Sequence, residues 1–254
     1  FIDLSPLCNK EKIPYIFYNN DIEEIYKFFH SKNPEVIYCI GWSHLLPAKV
    51  LNVPKHGVIG FHPAKLPSNR GRHPIIWAIA LGLEETASTF FKMDEGADSG
   101  DIVSQEIIKI EESDNSKSLY TKILSSLELQ IPTISQKLFK GQLVYHKQDE
   151  SLASSWRKRS VNDGIIDFRM TAKDINNLVR ALAEPYPKAQ FKYNNGFVKV
   201  GSAEIMRKIC NQNVEPGKVI ESSLNYISVK CSGVDAIKLM DIEYEDLPKL
   251  GEYL

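Results

Sequence analysis

Short apolar runs alternate with helical patterns through the first part of the chain, and this alternation restricts the fold more than any other feature. Residues 36–40 and 57–61 are largely apolar, which is typical of strands buried on both faces. Helices are predicted at 21–31, 48–51, 74–81 and 116–140, and further strands at 87–93 and 102–110. Pro132 is expected to break or kink the last helix. The pattern predicts an α/β fold with a mostly parallel sheet.

The pattern changes after about residue 150, where short strand-like runs replace the long helices. Thr171 and Asp174 have the spacing of a helix-capping pair, which predicts one more helix behind them. Strand-like runs punctuated by glycines follow at 189–193, 197–200, 218–221, 226–230 and 236–240. We therefore expect two domains, residues 1–150 and residues 151–254, of which the second is small and β-rich.

A histidine and an aspartate follow strands on two separate loops. His62 ends an apolar strand and precedes Pro63 and Pro67, which keep a helix from starting there. Asp98 lies among small residues in a turn-rich run. Loops at strand ends collect ligands in open α/β sheets, so we expect both side chains to be accessible and to form an acid/base pair. For either residue alone, a structural role in its loop is the alternative.

The two loops resemble those of the folate-dependent formyltransferases, which act on methionyl-tRNA, glycinamide ribonucleotide or nucleotide-linked amino sugars. The family pattern has Asn-x-His, then Leu-Pro and Arg-Gly, then Gly-x-Asp-Ser/Thr-Gly-Asp. Its counterparts here are His62, residues 66–67, residues 70–71 and residues 96–101. The resemblance extends from about residue 21 to residue 243. It implies a Rossmann-like core with a small C-terminal β-rich domain.

The resemblance also implies 10-formyltetrahydrofolate as the formyl donor. His62 would transfer protons and stabilise the developing oxyanion, while Asp98 would orient His62. The residues expected to hold the folate are Trp42, Ser43, His44, Leu45, Leu66 and Asp94. For Trp42, a place in the hydrophobic core is the alternative.

Gly60 stands where the family has asparagine, so the side-chain amide that donates to the oxyanion is missing. Three explanations are open. Ser43, Asn69 or a backbone N–H could act as the donor, or His62 could act alone as an imidazolium. Alternatively, the protein could bind its ligands without catalysis. The presence of both His62 and Asp98 argues against this third explanation.

The expected acceptor is the amine of a nucleotide-linked amino sugar. Asn69, Arg70 and Arg72 lie just before a predicted helix N-terminus, an arrangement suited to anions. Arg180 could reach a phosphate, and Tyr186, between two prolines, could stack on a nucleobase. The region around these two residues resembles that of sugar N-formyltransferases such as the aminoarabinose formyltransferase domain. A solvated basic loop and a packed hinge are the structural alternatives.

Composition restricts the partners further. The 254 residues are 43% hydrophobic and carry a formal net charge of −1, which argues against a large nucleic-acid surface and hence against methionyl-tRNA, the alternative acceptor. No apolar run approaches the ~20 residues of a membrane span, so we expect a cytoplasmic protein, and a homodimer. The four cysteines are widely spaced, so neither a metal site nor a disulfide framework is expected. Because the sequence begins at Phe1, we expect the family's first strand and helix to precede it.

Overall fold

The computed structural model describes residues 2–243 and 247–254. Its helices there are α1 (Ser5–Lys10), α2 (Ile22–Lys32), α3 (Ala48–Leu51), α4 (Pro74–Ala80), α5 (Ser116–Phe139) and α6 (Ala172–Ala181). Its strands are β1 (Ile37–Cys39), β2 (Val58–His62), β3 (Arg70–Gly71), β4 (Glu85–Lys92), β5 (Ile102–Lys109), β6 (Ser155–Trp156), β7 (Ala189–Tyr193), β8 (Gly196–Met206), β9 (Val219–Ser222), β10 (Tyr226–Lys230) and β11 (Ala236–Glu243). All predicted elements are present, and β8 and β11 extend further than predicted.

The first sheet has the strand order β1-β2-β4-β5 and is mixed. β1 and β2 are parallel, whereas β2 and β4, and β4 and β5, are antiparallel. The predicted α/β core is therefore confirmed, but the prediction that its sheet is mostly parallel is wrong for the described residues. A continuous apolar run indicates that both faces of a strand are buried, but it carries no information about the direction of the strand. The loop of residues 93–101 reverses the chain between β4 and β5.

Helix α5 runs through Pro132 without a break, so the break expected there does not occur, whereas the alternative of a kink stays a prediction. Pro132 lies on the exposed side of the helix. Because proline has no N–H, the carbonyl of Glu128, four residues earlier and also exposed, has no helical hydrogen-bond donor. Water can therefore satisfy that carbonyl.

Among the helices of the described residues, none combines the length and the apolar character that a membrane span requires.

The second sheet is antiparallel throughout, with the strand order β7-β8-β11-β10-β9, which confirms the predicted β-rich C-terminal part. Its inner face packs on α6, which packs in turn on α4. One buried cluster includes Ile79 of α4, Ile175 of α6 and Leu239 of β11, each fully buried. The core is thus continuous across both parts of the chain. The domain boundary at residue 150 stays a prediction.

A two-strand ladder ties the loop after His62 to the segment that joins the two sheets. β3 and β6 are parallel, and Gly71 lies opposite Trp156. Gly71 has φ +101°, and a Cβ atom there would lie 2.3 Å from the carbonyl oxygen of Trp156. Glycine is therefore required for the two strands to approach. Two-residue strands leave no periodic pattern, which explains why the sequence did not reveal this ladder.

Gln148 connects this loop to the loop that carries Asp98. Its Oε1 accepts hydrogen bonds from Arg70 Nε at 3.2 Å and Arg70 Nη2 at 2.8 Å. Its Nε2 donates to the carbonyl oxygens of Asp98 at 2.8 Å and Gly100 at 2.6 Å. Gln148 is only 4% exposed, so these groups have little access to water.

Replacing Gln148 with alanine is expected to lower the free energy of unfolding by about 1–3 kcal/mol, because buried polar groups on both loops lose their partner. Chemical denaturation measures the change. Gln142→Ala is the matched control, since Gln142 is exposed in the same segment and should give less than about 0.5 kcal/mol. Equal effects of the two variants would contradict the linking role of Gln148.

Candidate active site

His62 is the last residue of β2, as predicted, but it is only 5% exposed. The prediction that its side chain is solvent-accessible is therefore wrong. The Nε2 atom lies 2.8 Å from the carbonyl oxygen of Asn69, on the loop that turns back over the ring. A carbonyl can only accept, so Nε2 carries a hydrogen in this arrangement.

Asp98 lies beside His62 on the second loop. Its Oδ2 is 3.5 Å from His62 Nδ1 and accepts a hydrogen bond from the Gly71 N–H at 2.8 Å. Asp98 has φ +56°, a left-handed conformation that aspartate tolerates better than most residues. Asp94 shapes the same turn, because its Oδ1 accepts from the Gly96 N–H at 2.9 Å and from Ser99 Oγ at 2.7 Å.

The hydrogen-bond pattern determines how the pair holds protons. Since Nε2 of His62 already donates to Asn69, a neutral ring would turn the lone pair of Nδ1 toward the Asp98 carboxylate. That contact is favourable only when a proton lies between Nδ1 and Oδ2. A proton on Nδ1 would thus face the Asp98 carboxylate and stabilise it, so the pair can support proton transfer to or from a reacting group at Asp98.

A cavity of about 250 Å³ opens beside Asp98. Its wall includes residues from the loop after β1, from β2, from the Gly71 loop and from the Asp98 loop: Cys39, Trp42, Ser43, His44, Leu45, Gly60, Phe61, Gly71, Arg72, Phe91, Met93, Gly96, Ala97 and Asp98. Four of the six predicted folate residues are thus in one cavity with Asp98. His62 lies behind the wall.

Aromatic rings form one side of this cavity. Trp42 lies 5.6 Å from His44, and Tyr18 lies 4.7 Å from Trp42 and 5.9 Å from His44, measured between ring centroids. Sequence reasoning missed Tyr18, which lies in an irregular segment without a motif. Trp42 Nε1 is buried and has no hydrogen-bond partner among the described residues. Trp42 and His44 thus give the cavity an aromatic wall, and Tyr18 packs against both rings at tilted angles.

Cys39 also lies in the cavity wall, but it is not a nucleophile there. Burial raises the pKa of its thiol to about 11, so the reactive thiolate is scarce near neutral pH. In the described part of the chain, no cluster of histidine, cysteine and carboxylate side chains could hold a metal ion. The chemistry of the cavity is thus that of the His62–Asp98 pair and of Arg72.

Leu66 and Asp94, the other two predicted folate residues, do not line the cavity. Leu66 is 2% exposed and packs in the core, with its carbonyl accepting from Gln105 Nε2 at 3.0 Å. The Asp94 carboxylate accepts hydrogen bonds within its own turn.

The Asn69 carbonyl oxygen contacts His62, and the Asn69 backbone N–H donates to Ser154 Oγ at 2.9 Å.

The arginines of the same loop divide into a structural one and one in the cavity wall. Arg70 donates to Glu150 through Nη1 at 3.0 Å and through Nη2 at 2.7 Å, and these hydrogen bonds raise the pKa of its guanidinium. Arg70 is thus not free for a phosphate. Arg72 lines the cavity, and its Nη1 donates to the carbonyl oxygen of Ser43 at 2.8 Å.

Arg180 does not join the arginine loop, so the prediction that it forms one acceptor site with Arg70 and Arg72 is wrong. The Nη1 atom of Arg180 donates to the carbonyl oxygens of Glu111 at 3.1 Å and Asp114 at 2.8 Å. Arg180 lines a different cavity, whose wall includes Lys173 and Asn177 of α6. Tyr186 lines another cavity together with His73 and Arg159, where burial raises the pKa of its phenol.

The space beside Gly60 is filled. A Cβ atom there would lie 2.7 Å from Met93 Cγ and 2.9 Å from Phe91 Cζ. A thioether and a phenyl ring thus occupy the place into which an asparagine side chain at position 60 would project. The missing amide is therefore accompanied by a repacked wall and not by an open gap.

Two family models match the chain, formyl transferase over residues 9–132 and the formyl transferase C-terminal domain over residues 158–250. A methionyl-tRNA formyltransferase of Caldanaerobacter subterraneus is 35% identical over 224 residues, which are 87% of this chain and 71% of that protein.

Two solved structures share the fold. The sugar 3N-formyltransferase WlaRD, crystallised in the presence of dTDP and 5-N-formyl-THF, has a TM-score of 0.72 at 18% identity, covering 93% of this chain and 80% of that one. An N-formyltransferase from Helicobacter canadensis, in complex with folinic acid and dTDP-3-aminofucose, has a TM-score of 0.64 at 20% identity, covering 80% and 72%. From the two family models and the sequence identity to its bacterial relative, the chain belongs to the formyl transferase family.

Proposed function

We propose that the protein transfers a formyl group from 10-formyltetrahydrofolate to the amine of a nucleotide-linked amino sugar. The observation that carries formyl transfer is the 3.5 Å contact between His62 Nδ1 and Asp98 Oδ2 at the wall of the cavity that residues 42–45 line. An acid/base pair beside a cavity with a flat aromatic wall suits acyl transfer from a heterocyclic donor to an amine.

The cavity suits the pterin ring of a folate. The rings of Trp42 and His44 in the cavity wall can pack against the planar face of a pterin. When bound, the folate supplies an activated formyl carbon. All other contributions come from the side chains around it.

Asp98 is the member of the pair that meets the acceptor, because it lines the cavity and His62 does not. Its carboxylate takes the proton that the attacking amine loses while the carbon–nitrogen bond to the folate breaks, and it passes a proton to the departing folate nitrogen, with His62 Nδ1 stabilising the carboxylate from behind. The carbonyl of Asn69 keeps the ring in this orientation. Arg72 supplies a positive charge at the wall for the oxygen that becomes negative during acyl transfer.

An amino-sugar nucleotide is favoured over a tRNA as the acceptor. The net charge of −1 is unsuited to a long polyanion. The two structural neighbours above were each solved with a dTDP compound. Methionyl-tRNA is the second candidate, supported by the 35% identity to the Caldanaerobacter subterraneus enzyme.

A direct comparison of acceptors tests the proposal. Purified protein with 10-formyltetrahydrofolate is expected to formylate at least one member of a panel of dTDP-, UDP- and GDP-linked amino sugars, measured by mass spectrometry of the product. Methionyl-tRNA is offered under the same conditions. Formylation of the tRNA alone would establish the second candidate, and no transfer to either acceptor class would contradict the proposed function.

His62→Asn and Asp98→Asn are each expected to lower kcat by about 10²- to 10⁴-fold, because each removes one member of the proton-holding pair. The asparagine amide can still donate to the Asn69 carbonyl in the first variant and accept from the Gly71 N–H in the second, so the melting temperature should change little. His56→Asn is the matched control, since His56 lies against Glu35 and outside the cavity. Normal turnover in either site variant would remove that residue from the mechanism.

Gly60→Asn is expected to lower stability by about 1–3 kcal/mol and to reduce kcat, because Met93 and Phe91 occupy the space that the new side chain needs. Denaturation and product assays measure both effects. The double variant Gly60→Asn/Met93→Ala should regain part of the stability, since it removes the nearer obstacle. Gly196→Asn is the control, because nothing lies within 4 Å of a Cβ atom there and its φ is not positive. A fully stable and active single variant would show that the wall is not close-packed.

A further inference from the structure

A second cavity, of about 410 Å³, lies between the start of α4, the turn at 159–164 and the second sheet. Four of its wall residues are basic: His73, Arg159, Lys188 and Lys199. The remaining wall is largely apolar and includes Ile76 and Tyr186. A pocket with basic groups on one side and apolar groups on the other suits a ligand with an anionic part and a flat, weakly polar part.

Arg159 is held rigidly but retains an unused donor. Its guanidinium carbon lies 4.5 Å from the ring centroid of Trp77, and its Nη2 donates to the carbonyl oxygen of Asp163. Its Nε is buried without a hydrogen-bond partner among the described residues. A buried arginine N–H without an acceptor costs free energy, so Arg159 is an incompletely paired cation in the wall of this cavity.

The basic groups around the cavity are only partly neutralised. Glu243 Oε1 lies 2.9 Å from Lys188 Nζ, so Lys188 is paired, whereas the Lys199 Nζ lies 4.0 Å from the other oxygen of Glu243. Burial lowers the pKa of His73, and so do the cations around it, Arg72 first. A surplus of positive charge therefore remains at the end of the cavity near His73 and Arg159.

The second cavity is next to the first. Arg72 lines the cavity proposed for the folate, and His73, the following residue, lines the second cavity. Gly71, the residue before them, donates its N–H to Asp98. Consecutive residues of one loop therefore contribute to the walls of both cavities.

We propose that the second cavity binds the diphosphate of a nucleotide-linked acceptor, with Arg159 and Lys199 contacting the phosphates and Tyr186 lying against the nucleoside. The assignment of this diphosphate to a formyl acceptor rests on the proposed function, whereas the anion site itself does not. Guanidinium and ammonium groups form charge-assisted hydrogen bonds to phosphate oxygens. The sugar amine would extend past Arg72 to Asp98.

Titration calorimetry with inorganic pyrophosphate and with dTDP, at fixed ionic strength and without folate, tests the site. The wild-type protein is expected to bind both, and dTDP more tightly. Lys199→Ala and Arg159→Gln should each weaken binding about five- to tenfold, because each removes one charge-assisted contact. Lys192→Ala, the matched control, removes an equal charge from an exposed residue of β7 outside this cavity and should bind like wild type.

A thermal melt of each variant separates lost contacts from lost folding, since Arg159 also packs on Trp77. Lys199 is exposed, so its variant should melt like wild type. Unchanged binding in Lys199→Ala and in a folded Arg159→Gln would overturn the site, as would an equal loss in Lys192→Ala. Binding that depends on Lys199, in a protein that formylates no amine, would support the site and refute the proposed function. Formyl transfer without binding of either diphosphate would refute the site alone.

Discussion

The side chain of Gln148 holds together the two loops on which the candidate active site depends. An amide both accepts and donates, so it can serve a buried cation on one loop and two carbonyls on the other. Arg70 is fixed from its other side by Glu150. The Asp98 loop has no regular structure and β3 is only two residues long, so the distance between His62 and Asp98 depends on these few contacts and on the Gly71 N–H.

The two members of the candidate acid/base pair differ in their access to solvent. His62 is enclosed by the protein, while Asp98, in contact with it, faces the cavity. A histidine shielded from water exchanges protons through its partner, which restricts proton transfer to molecules that reach the carboxylate. The repacked wall at Gly60 makes the cavity more apolar where the family pattern has an amide. Charge at the wall therefore depends more on Arg72.

Much of the fold could be predicted from the sequence, because its signals are local. Helix α4 begins at Pro74 and β7 and β10 occupy their predicted ranges, since proline, periodicity and glycine act within a few residues. Strand direction, the β3–β6 ladder and Gln148 depend on contacts between distant residues and leave no local pattern. For the same reason, the internal bonds of Arg70 and Arg180 could not be foreseen. A motif specifies which side chains approach one another, but not which of them remain free for a ligand.

The β3–β6 ladder makes the two parts of the chain structurally dependent on each other. The segment that leads into the C-terminal sheet is hydrogen-bonded to the same loop that positions Asp98, from the Arg70 N–H to the Arg72 N–H. A chimaera that exchanges the C-terminal part between relatives therefore has to keep residues 148–156 with the first part. A junction placed before them would separate the active-site loop from its support, although both sheets would remain intact.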